Sequence, residues 1–80
     1  MAKLIQNEAM AKKFAVDALV KEYKIPESRI EVIYPILTVP GAKLSVESYS
    51  VKAKVTVKPG VTREHQLAVL AYTGEVVVIY

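Results

Sequence analysis

Residues Leu4–Tyr23, LIQNEAMAKKFAVDALVKEY, decide how the rest of the chain is read. Ile5, Ala9, Val16, Leu19, Val20 and Tyr23 fall in one narrow arc at about 100° per residue, which predicts an amphipathic helix. The stretch is rich in Ala, Lys, Glu, Leu and Met and holds no Gly or Pro, so it costs little as a helix. Pro26 ends it by pushing Ile25 out of the α region. Lys21 and Lys24 suit the negative end of the helix dipole. Met10, Phe14 and Ala18 form a second apolar stripe. Either a twisted sheet wraps far enough round to cover it, or it is an exposed strip that docks a second copy or a partner through Met10 and Phe14.

Everything after Ile25 reads as strands and turns. Pro26-Glu27-Ser28 reverses the chain. Arg29 to Leu37 alternates, with Ile30, Val32, Tyr34 and Ile36 on one face; Pro35 cannot donate to a ladder, so the strand is an edge or carries a bulge. Val39-Pro40-Gly41-Ala42 signals a type II turn with Gly41 at positive φ. A short strand from about Lys43 to Glu47 follows, with Leu44 and Val46 inward. The inward residues then switch from even to odd numbers, since Val51, Ala53, Val55 and Val57 define the next strand. A hairpin turn or a bulge near Ser48-Tyr49-Ser50 has to absorb that switch, and a turn is the expectation. Pro59-Gly60 is a second turn. Thr62 to Tyr72 can be read as helix or strand; its second half is expected to be strand. Val76 to Tyr80 is apolar on both faces and is expected to lie centrally in the sheet. The expected fold class is α+β. One helix, about 4–23, packs across an antiparallel meander of four or five strands, about 29–80, in a single domain spanning 1–80.

At 80 residues a chain of this kind forms one domain with a small core, burying about 60% of its unfolded surface. An apolar fraction of 52% argues against disorder. Without cysteine there is no disulfide and no thiolate metal site. Gln6, Asn7 and Glu8 interrupt the apolar start, so no signal peptide is expected, and the apolar runs are too short to span a membrane. A cytoplasmic protein is the expectation, or an exported one if the chain is trimmed from something larger. A formal charge of +3 is only mildly basic and favours anionic partners over cationic ones.

Catalytic chemistry finds little to work with. His65 is the sole histidine and has no nucleophile and orienter in a recognisable arrangement, so it reads as a strand-face residue. Glu47, Glu64 and Glu75 do not have metal-ligand spacing. Glu31 and Glu47 make a carboxylate pair only if their strands bring them together. The three glycines are far apart and cradle no phosphate. No enzyme activity, cofactor or metal is expected. Two non-catalytic features stand out. Lys52, Lys54 and Lys58, joined by Lys43, form a candidate anion-binding face for nucleic acid, or a solvated strand face that discourages edge pairing. Val39-Pro40-Gly41 and Pro59-Gly60 form a paired, stiff recognition wedge if both lie at one end of the sheet.

Val69-Leu70-Ala71-Tyr72-Thr73-Gly74-Glu75-Val76 resembles the closing signature of PepSY domains, V-D-A-x-T-G-E-V, with Leu70 where the family carries an acid. Glu8-Ala9, Ala15 and Lys24-Ile25-Pro26-Glu27 are similar to the opening helix of that family and its exit turn. The resemblance implies a helix-on-sheet domain that restrains peptidases by binding them. Leu37-Thr38-Val39-Pro40-Gly41 is similar to the Q-x-V-x-G hairpin of cystatins, matching at Val39 and Gly41, and Pro59-Gly60 stands where cystatins carry a Pro-Trp hairpin. Both resemblances imply a protein-binding module whose partner is another protein, with a peptidase as the class implied. The alternatives are a basic nucleic-acid-associated protein and a homo-oligomeric assembly subunit joined through the Phe14 stripe.

Overall fold

A computed structural model describes residues 3–41 and 45–80. The chain folds as one helix, α1 (Glu8–Tyr23), a short 3₁₀ turn at Glu27–Arg29, and four strands: β1 (Ile30–Pro40), β2 (Val46–Lys58), β3 (Val61–Leu70) and β4 (Val76–Val78). The strands form one antiparallel sheet in the order β1-β2-β3-β4, a meander with α1 on one face. The expected α+β plan is the observed one. Among the described residues, no helix is long and apolar enough to cross a membrane.

The helix begins four residues later than the pattern predicts. Asn7 is its N-cap, with its side-chain oxygen accepting from the Met10 N–H at 2.9 Å, and a capped end of this kind satisfies an otherwise orphaned donor. Ile5 therefore lies outside the helix. It is fully buried, and its N–H donates to the Ala71 carbonyl at 2.8 Å. At the other end Lys24 closes the helix in the left-handed region, φ 57, donating to the Val20 carbonyl. The buried face is centred on Ala11, Ala15 and Leu19, with Val16 at its margin, while Ala9 is exposed. The predicted arc is thus rotated, and the wide buried face takes in the second stripe: Met10 and Phe14 pack against the core cluster. Small Ala side chains let the sheet come close to the helix.

Across from the helix lie Val51, Ala53 and Val55 of β2 with Leu67 and Val69 of β3, all fully buried. Burying a side chain of this size contributes about 1.5–3 kcal/mol. The parity switch is absorbed without a turn. β2 runs unbroken from Val46 to Lys58, and its register with β1 shifts between Val39 and Pro40, opposite Ser48 and Val46. Glu47 is the extra residue, so a bulge replaces the expected hairpin. A second irregularity in β1 spans Ile33 to Leu37, around the cis Tyr34–Pro35 peptide, so Pro35 is both on an edge strand and in a bulge. Thr62 to Leu70 is strand throughout.

Candidate protein-binding face

The face of the sheet turned away from α1 is built from the alternate residues of the same strands, and the register arranges them in rows. Glu31, Lys54 and Glu64 form one row across β1, β2 and β3. Ile33, Lys52 and Gln66 form the next, continued by Ile79, whose N–H donates to the Gln66 carbonyl at 2.7 Å. Leu37, Ser50, Ala68 and Val77 cross all four strands, and Val39, Ser48 and Leu70 follow. One end of this face is charged. The other has Ser48, Ser50, Ala68 and the half-buried Leu70 at its middle, where Gln66 donates to the Ser50 hydroxyl at 2.9 Å, and exposed large apolar residues at its two margins. Leu37 is 57% exposed, Val39 45%, Val77 44% and Ile79 56%. Single exposed apolar residues are ordinary; here they stand in two pairs, Leu37 with Val39 on β1 and Val77 with Ile79 at the opposite margin.

The sequence-predicted sites fare differently. The Pro-Gly turns do not come together. Pro40-Gly41 precedes β2 and Pro59-Gly60 follows it, so the 13 residues of β2 at about 3.3 Å each set them at opposite ends of the sheet. A meander allows nothing else, because consecutive hairpins alternate ends. The loop that shares an end with Pro40-Gly41 is the β3–β4 turn, where the Ala71 N–H donates to the Glu47 carbonyl. Gly60 has the positive φ expected of it, 79°. Gly41 does not have one; it is needed for space, since a Cβ there would lie 2.7 Å from a Glu47 carboxylate oxygen.

Met10 and Phe14 are not an exposed strip. The Phe14 ring and Leu4 both pack on Gly74 in the β3–β4 turn, where a Cβ would come within 2.8 Å of the ring. Gly74 also sits at φ 73, and its N–H donates to Leu70. The Thr73-Gly74-Glu75 turn therefore covers the stripe that the sequence left open. Val76 to Tyr80 is not central either: β4 is short and forms the sheet edge.

Lys52 and Lys54 share the open face and Lys58 is exposed, while Lys43 lies outside the described residues, as do Ala42 and Leu44. Lys54 stands in register between Glu31 and Glu64, so its row carries more negative than positive charge. Glu31 and Glu47 do not meet: the first pairs with Lys54, and the second is the bulge at the far end of β2. Among the described residues no group of His, Asp and Glu could hold a metal ion.

Sequence reasoning missed the environment of His65. Its Nδ1 lies 2.7 Å from the Tyr80 carbonyl oxygen, and its Nε2 is hydrogen-bonded to the Tyr23 hydroxyl. A carbonyl only accepts, so Nδ1 carries the proton; in the neutral ring Nε2 then accepts from the tyrosine. The two rings are tilted by 50° with centroids 5.6 Å apart. His65 thus ties the end of α1 to the stretch after β4, beside a pocket of about 310 Å³ lined by Leu19, Glu22, Tyr23 and Val78. A 42-residue separation between Tyr23 and His65 leaves no local pattern to detect.

No protein-family model matches the chain, and neither the curated proteins nor the solved structures include one that matches it significantly.

Proposed function

We propose that this chain is a non-enzymatic binding module that engages another protein through the open face of its sheet. The observation that carries this reading is the pair of apolar margins, Leu37 with Val39 and Val77 with Ile79, flanking the small residues Ser50 and Ala68. Exposed apolar side chains on either side of small residues suit a partner's helix or loop, and desolvated apolar anchors supply most binding energy at protein interfaces. His65 supports a non-catalytic role, since both ring nitrogens are engaged in ties between elements. The alternation of Glu31, Lys54 and Glu64 favours a protein partner over nucleic acid, which needs an uninterrupted cationic track. The PepSY resemblance implies a peptidase as the partner class; the cystatin resemblance adds nothing to it, because the two Pro-Gly turns stand at opposite ends of the sheet.

The test is capture of a partner by the immobilised chain, repeated with Leu37→Lys and Val77→Lys. A partner retained by the parent and by Lys54→Ala but lost with both apolar substitutions supports the reading. Equal retention by all variants refutes it. The peptidase version stands on its own assay: micromolar protein that leaves a panel of metallopeptidases and cysteine peptidases uninhibited removes it.

A further inference from the structure

The two edges of the sheet differ in a way that matters for strand addition. β1 is a poor template. It is broken by register shifts at Ile33–Leu37 and Val39–Pro40, and Pro35 and Pro40 have no N–H to offer. Bulges and prolines are the devices that blunt an edge. β4 has none of them. From Val76 to Tyr80 there is no charge, no proline and no glycine.

The hydrogen-bond phase of β4 is set by two contacts. Ile79 donates to the Gln66 carbonyl at 2.7 Å, and Leu70 donates to the Glu75 carbonyl at 2.8 Å. In an antiparallel pair, bonded and non-bonded positions alternate. Val77, opposite Ala68, is therefore bonded to β3, while Val76 and Val78, opposite Val69 and Leu67, turn their N–H and C=O groups outward. The chain is also tethered beyond its last ladder residue, because His65 binds the Tyr80 carbonyl. Val77, Val78, Ile79 and Tyr80 are all exposed, from 44% to 63%.

The geometry points to a second copy of this chain as the occupant of that edge, with β4 pairing antiparallel to β4 about a two-fold axis at Val77. In this register Val76 of each copy lies opposite Val78 of the other, and those are the residues whose backbone groups point outward. An uncharged strand meets itself without like charges in contact, which a two-fold interface requires. The flanks carry both signs of charge. Asp17 and Lys21 both lie beside Val76, and Glu22 lies beside Val78. Setting Val76 against the partner copy's Val78 brings Glu22 of each chain toward the Asp17–Lys21 pair of the other, so no single-sign patch opposes its like. The result is a continuous eight-stranded sheet, assembled by backbone pairing. So short a strand pair falls below the roughly 1,200–2,000 Å² of a standard stable interface, so the dimer forms in a concentration-dependent way.

This inference does not depend on the partner reading, and its test separates the two. Sedimentation from micromolar to millimolar concentration is expected to show the mass rising from 8.8 kDa toward twice that value. Amide exchange followed by NMR adds a residue-level signature. The Val77 and Ile79 amides are protected at every concentration, whereas those of Val76 and Val78 become protected only as the dimer forms. Val78→Pro removes an outward N–H, at a position where an edge strand accepts proline, and is expected to weaken the dimer at least ten-fold. N-methylation of the Val78 amide gives the same loss without changing the side chain. Leu37→Lys, on the opposite margin, leaves the dimer unchanged. A monomeric mass up to millimolar protein overturns the inference. So does a dimer in which the Val76 and Val78 amides exchange freely, or one that Leu37→Lys abolishes.

Discussion

The two faces of this sheet are made by the same strands and have opposite fates. On one, Val51, Ala53, Val55, Leu67 and Val69 are fully buried under α1. On the other, their immediate neighbours Ser50, Lys52, Lys54, Gln66 and Ala68 look outward, with the exposed large apolar side chains confined to the two margins. Alternation along a strand assigns residues to faces, but whether a face is covered depends on how many elements the chain has to cover it. With a single helix, one face stays open. The open face is where composition is free to serve something other than the core.

The contrast can be broken most sharply at Leu19, which is 1% exposed at the centre of the helix–sheet contact. Leu19→Ala is expected to cost about 2–5 kcal/mol in urea unfolding. The turn that covers Phe14 comes next. Gly74→Ala adds a Cβ at φ 73, hard against Leu4 and Phe14, and is expected to lose about 1–3 kcal/mol; a thermal melt no lower than the parent's would show that the turn does not seal that side of the helix. Asn7→Ala removes the helix cap, and unfolding curves should place its loss at about 1 kcal/mol.

On the open face the effects shrink. Lys54→Glu sets three like charges in one row with Glu31 and Glu64, and a loss of about 0.2–1 kcal/mol is expected, recovered partly at high salt. Smallest of all, Leu37→Ala should change stability by no more than about 0.5 kcal/mol. Its effect belongs to partner capture. A large loss of stability there would mean that the open face is part of the core after all.

How far the sequence could be read depends on whether each signal was local. Alternation from Val51 to Val57 identified the second part of β2, which in fact begins at Val46, and Pro59-Gly60 placed its end. The even-to-odd switch before it was visible as well, yet a hairpin and a bulge satisfy the same parity rule. What decided between them was the pairing of β1 with β2 on either side of Glu47. The apolar run Val76 to Tyr80 carried the symptom of a buried strand, but its solvent-exposed position follows from its being last in a meander. The Phe14 stripe was legible and its cover was not, because Gly74 is sixty residues away in sequence. Of the candidate site, Leu37, Val39, Val77 and Ile79 were visible individually, but nothing in their spacing places them on one face.

By itself the sequence determined the helix, the α+β plan and the lack of cysteine chemistry, because periodicity, turn residues and composition act over a few residues at a time. The tertiary structure alone decided which strands lie at the edges and that Pro40-Gly41 and Pro59-Gly60 stand at opposite ends. It also decided that His65 joins Tyr23 to Tyr80 and that one sheet face is left bare. Each of these depends on contacts between residues far apart in the chain, whose pairing is set by how the whole sheet twists and packs against its one helix.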